Sequence, residues 1–145
     1  MTRATWAGRQ AISCKAAERG ASQRKLRSAG PFTLVDDTGA TVTQKTLVGK
    51  PYAMYFGYTF CPDVCPTTLL DLSRWIKKLG PQAEKLNYVF VSIDPERDTP
   101  TLMHTYLSSF DKHIRGFTGT PEQVGIARAY RVYYKKIPTR RESYE

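Results

Sequence analysis

Apolar positions along this chain switch between a period of two and a period near three and a half, and the switches lay out the elements. Phe32-Thr33-Leu34-Val35 alternates as a short strand, Asp36-Asp37-Thr38-Gly39 supplies turn residues, and Ala40-Thr41-Val42-Thr43 reads as the returning strand. Residues 51–58 are aromatic and apolar on both faces, which predicts a buried central strand. Leu69, Leu72, Ile76 and Leu79 then recur at helical spacing. Pro66 suits the first turn of that helix, where its missing N–H costs nothing, and Gly80-Pro81 is the stop. Residues 88–93 predict a second buried strand. Thr99 is placed to cap a second helix with Pro100 at its first position, and Leu102, Tyr106, Leu107 and Phe110 mark its apolar face. Residues 114–117 suit a short strand, after which Thr120-Pro121-Glu122-Gln123 caps a third helix carrying Val124, Ile126, Ala127, Ala129 and Tyr130.

The order is hairpin, strand, helix, strand, helix, short strand, helix. Strands alternating with helices imply right-handed crossovers and a sheet covered by helices, an α/β architecture. The flanks have a different texture. Residues 1–30 hold no apolar stripe that persists for three helical turns, and residues 138–145 form a polar run with no element of its own. The expected organisation is therefore a basic leader over 1–30, disordered outside the fold, one domain over 31–137, and a polar tail over 138–145.

Charge sharpens that division. The formal net charge is +9, and residues 1–30 hold seven basic side chains (Arg3, Arg9, Lys15, Arg19, Arg24, Lys25, Arg27) against Glu18 alone. The rest of the chain holds fifteen basic and twelve acidic residues. A protein that tracks phosphates carries its charge on the face of the folded domain, so nucleic-acid binding is disfavoured. The Arg- and Ser-rich, acid-poor leader is similar to an organelle transit peptide; an unstructured or frame-derived leader is the alternative, and without an apolar region it is not a secretory signal. Hydrophobic residues make up 41% of the chain, enough for a core. The longest apolar stretches, 52–60 and 88–93, fall far short of the ~18 residues that span a bilayer, so no membrane segment is expected. Three cysteines exclude a dense disulfide scaffold and leave a redox pair or a metal site with one thiol over.

The chemistry concentrates in Tyr58-Thr59-Phe60-Cys61-Pro62-Asp63-Val64-Cys65-Pro66, after a strand and at the start of a helix. Two sulfurs four positions apart at a helix N-terminus can converge on one point. Backbone N–H groups and the helix dipole there favour the thiolate, the form that attacks disulfides and binds metals. Soft sulfur ligands prefer Cu(I), with Zn(II) as the ordinary competitor. The bland alternative is a pair of unreactive cysteines beside a core. Cys14, in the basic leader and without a partner nearby in sequence, reads as an incidental free thiol.

Four segments, Gly57-Tyr58-Thr59-Phe60-Cys61-Pro62-Asp63-Val64-Cys65-Pro66, Val91-Ser92-Ile93-Asp94-Pro95-Glu96-Arg97-Asp98-Thr99-Pro100, Gly116-Phe117-Thr118-Gly119-Thr120 and Ala127-Arg128-Ala129-Tyr130-Arg131-Val132-Tyr133-Tyr134, closely resemble the Sco/SenC family in order and without large gaps. The resemblance implies a thioredoxin-like, three-layer α/β/α fold. It also implies a copper-binding accessory protein, a copper chaperone, that helps assemble the dinuclear copper centre of cytochrome c oxidase. Cys61 and Cys65 would be the copper thiolates. Asp94, in the Asp-Pro motif, would support them from behind, because a hard carboxylate is a poor Cu(I) ligand. The implied partners are the copper-bearing oxidase subunit, other copper chaperones and thiol reductants. The implied location is the bacterial inner membrane facing the periplasm, or the mitochondrial inner membrane.

The chain departs from the family pattern at both ends. The family's third ligand, a histidine beyond the Tyr-Arg-Val-Tyr-Tyr motif, has no counterpart before Glu145, and a short basic leader stands where the family has a membrane anchor. The chain is thus read as truncated, with a thioredoxin-like fold incomplete at its C-terminal end and a strand edge and apolar face left open. His104 and His113 do not match the missing position; both are expected on the solvated surface. The rival function is an enzyme, a thiol–disulfide oxidoreductase using the same two cysteines, although redox pairs of the thioredoxin type have two intervening residues and here there are three. Peroxidase chemistry and a poorly folding, inactive fragment are weaker alternatives.

Overall fold

A computed structural model describes residues 31–128 and 130–132. Five strands form one sheet in the order β2-β1-β5-β4-β3, with β1 Thr33–Asp36, β2 Thr41–Thr43, β3 Tyr52–Gly57, β4 Asn87–Ser92 and β5 Ile114–Thr118. The helices are α1 (Val64–Leu79), α2 (Pro100–Leu107) and the single turn α3 (Pro121–Val124). Strands β3, β4 and β5 run parallel, while β1 is antiparallel to both β2 and β5.

The hairpin forms where the turn residues predict it. Asp36 Oδ1 accepts hydrogen bonds from the Thr38 and Ala40 amides, both at 3.0 Å, and Gly39 supplies the positive φ of +89°. Leu34 faces Val42 across the ladder, and both are buried. Helix α1 ends at Gly80, whose φ is +53°, and the chain tightens into a 3-10 turn, Gly80–Lys85. Thr99 caps α2 through Leu102 N–H, and Thr120 caps α3 in a reciprocal box with Gln123. The apolar face of α2 closes at Leu107; Phe110 lies in the turn after it.

Successive parallel strands are laid down in one direction, so crossovers of one hand put α1 and α2 on the same face of the sheet. Leu69 and Ile76 of α1 and Met103 and Leu107 of α2 meet Tyr88, Phe90 and Ile114 there. The opposite face gathers Phe32, Leu34, Val42 and Leu47 with Val89, Val91, Phe117 and Val124. The alternation along β4 thus feeds two clusters, and the arrangement is a three-layer, thioredoxin-like α/β fold.

Two expectations need correction. Residues 51–58 do not make a central strand: among the described residues β3 pairs with β4 alone and stands at the end of the sheet, its first two residues exposed. Its aromatic content reflects two half-covered faces, with Met54 and Phe56 against one cluster and Tyr55 against the other. The third helix is one α turn continued as a 3-10 turn over Gly125–Arg128, a shortening that follows its early Gly125. The Ala127 and Ala129 side chains expected on it, the leader over 1–30 with Cys14, the end of the expected domain and the tail over 138–145 lie outside the described residues. Among the described residues no helix is long and apolar enough to cross a membrane.

Candidate functional site

The end of β3, the loop behind it and the first turn of α1 bring Cys61 and Cys65 together. Cys65 is the second residue of α1 and 3% exposed; Cys61 lies two residues before the Asp63 cap and is 8% exposed. Both are free thiols, and their side chains are hydrogen-bonded to each other. The convergence expected from a four-residue spacing at a helix start is what the chain adopts.

The two sulfurs are not equivalent. Burial pushes the Cys61 thiol up, but hydrogen bonds from the Asp63 and Cys65 backbone, the Cys65 thiol and the Tyr58 hydroxyl outweigh it and hold Cys61 below the ordinary thiol range. Cys65 is deeper, and burial raises it above that range, even though the Tyr58 backbone and the Tyr55 hydroxyl contact its sulfur. Cys61 therefore ionises first, and Cys65 keeps its proton and shares it with the Cys61 sulfur. Tyr55, also desolvated by burial and bonded to Cys65, is pushed up to about 12, so its hydroxyl stays protonated as a donor.

The cradle depends on residues that the sequence reading left without a role. A side-chain carbon at Gly57 would sit 2.8 Å from the Phe90 ring and 2.9 Å from Cys65 Sγ, so only glycine lets α1 bring that sulfur so close to the strand. Tyr55 and Tyr58 supply hydroxyls to one sulfur each. Asp98 is fully buried and accepts from the Thr59 amide at 3.0 Å, from the Thr59 hydroxyl, and from Ser92 Oγ at 2.6 Å. The signals were available. A glycine at a strand end before a cysteine suggests a close approach, and an aspartate in Asp94-Pro95-Glu96-Arg97-Asp98 suggests a second acceptor.

Asp94, the expected supporting carboxylate, is buried and ion-paired with Arg97 Nε. The Arg97 guanidinium lies 4.8 Å from the centre of the Phe60 ring, the residue before Cys61. Asp94 thus reaches the cysteine loop through Arg97 and Phe60. The mouth of the site is apolar, with Phe60 54% and Val64 63% exposed beside the cysteines.

The histidines are placed away from the sulfurs. His104, exposed on α2, meets Asp37 Oδ2 at 3.1 Å. His113 corrects its expectation: it is not simply solvated but held by Asp111 Oδ1 at 2.6 Å on Nδ1 and Glu84 Oε1 at 2.9 Å on Nε2. Among the described residues no cluster of three or more His, Cys, Asp or Glu side chains could hold a metal ion. What the site offers is a pair of soft sulfur donors, which fits two-coordinate Cu(I) and equally a reversible disulfide.

Comparison with known proteins places the chain. The family model described as SCO1/SenC matches residues 20–145. The chain is 44% identical to the mitochondrial Protein SCO1 homolog 1 of Arabidopsis thaliana over 123 residues, covering 83% of this chain and 37% of that protein. It is 39% identical to Protein SenC of Rhodobacter capsulatus over 120 residues, covering 82% of this chain and 54% of that protein. It therefore spans roughly a third to a half of these relatives' length. The structure of Bradyrhizobium japonicum ScoI with copper bound superposes with a TM-score of 0.76 at 51% identity, over 79% of this chain and 74% of that one. With the paired cysteines, the thioredoxin-like sheet and a family match over more than half its length, this chain belongs to the SCO1/SenC family.

Proposed function

We propose that this chain is a copper-handling accessory protein for the assembly of cytochrome c oxidase, with Cys61 and Cys65 as the two thiolate ligands of Cu(I) and with copper as cargo. The observation that carries this reading is a pair of free, buried cysteines brought together where α1 begins, Cys65 in its first turn and Cys61 just before its cap. Support comes from the relative whose structure is described with copper bound. Cys61, already the more acidic sulfur, takes the metal as a thiolate; Cys65 gives up its proton as the second donor. Release is ligand exchange with no change of oxidation state, and the proton returns to Cys65. The receiving partner is the copper-bearing oxidase subunit, with other copper chaperones and thiol reductants as suppliers. The setting proposed from the relatives is the mitochondrial inner membrane or the bacterial inner membrane facing the periplasm. Asp94 steadies the loop through Arg97 and Phe60 and is not a ligand.

The unequal thiols also favour a second reading, thiol–disulfide exchange. The Cys61 thiolate attacks one sulfur of a partner disulfide, forming a mixed disulfide and releasing one partner thiolate. Cys65 then loses its proton and attacks Cys61 Sγ, which closes Cys61–Cys65 and releases the second partner thiolate. The pair is oxidised by two electrons and the partner is reduced by two.

Competition against a Cu(I) chelator tests the first reading. The wild-type chain is expected to bind one Cu(I), Cys61→Ser and Cys65→Ser to lose stoichiometric binding, and His104→Ala and His113→Ala to keep it. Loss of copper in either histidine variant as complete as in the cysteine variants would overturn the ligand assignment.

A further inference from the structure

We infer that Asp98 is a positioning residue for the cysteine pair, a buried latch that holds the Cys61 loop against the helix carrying Cys65. The inference rests on the reading of Cys61 and Cys65 as the functional pair.

The loop leaves the sheet at Gly57, whose C=O accepts from Ile93 N–H at 2.8 Å, and Cys61 N–H then meets Tyr58 C=O at 3.3 Å in a tight turn. Cys65, by contrast, is fixed by α1, whose Leu69 and Ile76 are buried in the core. The relative position of the two sulfurs therefore depends on what anchors the loop. Asp98 supplies an anchor. Its Oδ2 accepts from Thr59 N–H at 3.0 Å and from Ser92 Oγ at 2.6 Å, while Oδ1 accepts from the Thr59 hydroxyl. Thr59 stands two residues before Cys61, and Ser92 is the last residue of β4.

Asp98 is itself held on all sides. Its N–H donates to Asp94 C=O at 3.0 Å, and its C=O accepts from Thr118 Oγ1 at 2.9 Å at the end of β5. One residue thus joins the loop to two strand ends, its carboxylate at the end of β4 and its backbone carbonyl at the end of β5. Three donors converge on two oxygens with no exposure to water, so each carboxylate oxygen is satisfied by the loop or the sheet. Burying a carboxylate is costly, and the donors that offset the cost fix its position and with it Thr59. A preorganised pair of sulfurs has a high effective concentration of one for the other, which favours both ring closure to the disulfide and two-sulfur capture of Cu(I).

The test measures the Cys61–Cys65 dithiol–disulfide equilibrium against glutathione and the affinity for Cu(I) in a chelator competition, with thermal unfolding beside them. Asp98→Ala leaves the loop donors without an acceptor, and is expected to lower both constants roughly tenfold. Asp98→Asn can still present an oxygen to Thr59 N–H, and the Thr59 hydroxyl can turn to accept from the amide, so it should restore both constants to within about threefold of wild type. Thr59→Val removes one loop-side bond and nothing from the sheet side; it should shift both constants in the same direction by less. Val91→Ala touches no latch bond and opens a cavity in the cluster on the other face of β4, so it should lower the unfolding temperature while leaving the sulfurs within about threefold of wild type. Should Asp98→Ala not fold, Thr59→Val set against Val91→Ala decides. Sulfur constants in Thr59→Val that match wild type, or that move no further than in Val91→Ala, overturn the latch. A wild-type chain that neither closes the disulfide nor holds Cu(I) would overturn the proposed function and this inference with it.

Discussion

At Gly57 the absence of a side chain lets three elements meet. The strand backbone, the Phe90 ring and Cys65 Sγ converge on it, and a methyl group would fall 2.8 Å and 2.9 Å from the latter two. Phe90 is fully buried and cannot swing away, so the sulfur and the first turn of α1 must shift. Gly57→Ala is expected to destabilise the fold by about 1–3 kcal/mol in urea unfolding, the usual range for overpacking, and to weaken Cu(I) capture as Cys65 moves. Unchanged unfolding together with unchanged copper affinity would contradict this account. Cys61 and Cys65 were legible in the sequence because their spacing at a predicted helix start is itself the signal. Gly57 and Asp98 gave only hints there, and Tyr55 and Tyr58 none, because their roles depend on which backbone lies opposite, and that is fixed by strand pairing and helix packing between distant segments. Asp94 was visible in its motif, yet its route to the site through Arg97 and Phe60 could not be read from spacing.

Between elements, His113 ties the start of β5 to the turn that follows α1. Both of its ring nitrogens face carboxylates, Asp111 at 2.6 Å and Glu84 at 2.9 Å, so both must donate and the ring must be charged for the clamp to close. The Glu84 and Asp111 hydrogen bonds raise its pKa above the ordinary imidazole value, while the nearby Lys50 and Lys112 favour the charged form of the carboxylates. The folded state binds this proton more tightly than the unfolded chain. Its contribution is therefore complete below about pH 6.5, the unfolded imidazole value, and is lost as pH rises through the higher folded value. Asp111 and Glu84 are lowered, so their share is present above about pH 4 and is lost on acidification. Denaturant midpoints of the wild-type chain should fall as pH rises above about 6.5, and His113→Gln should flatten that fall. Equal slopes in the two proteins would refute the clamp. Element existence and order followed from periodicity and caps throughout. The place of β3 at the end of the sheet among the described residues did not, because a strand with aromatic residues on two half-covered faces has the same pattern as one buried in the middle.

Across the whole molecule, β4 is the wall shared by two cores, and only one of them reaches the cysteines. Tyr88 and Phe90 point to the side of α1 and α2, while Val89 and Val91 point to the side of the hairpin and α3. Phe90 also lies 5.8 Å, ring centre to ring centre, from Tyr55, whose hydroxyl bonds Cys65. Removing either side chain leaves a cavity in a tightly packed interior, but the two cavities should have different consequences. Phe90→Ala should cost about 3–5 kcal/mol, a large part of the 5–15 kcal/mol that holds a domain of this size together. It should also weaken Cu(I) binding, because Tyr55 and the Gly57 cradle lose their support together. Val91→Ala should cost less, on the order of 1–3 kcal/mol for two buried carbons and their cavity, and should leave copper affinity at the wild-type level because its neighbours lie across the sheet. Urea unfolding paired with chelator competition separates the effects, with Phe90→Leu as the milder variant that keeps the chain folded. If Val91→Ala weakened copper binding as much as the Phe90 variants did, the site would depend on global stability and not on the face of β4 that supports it.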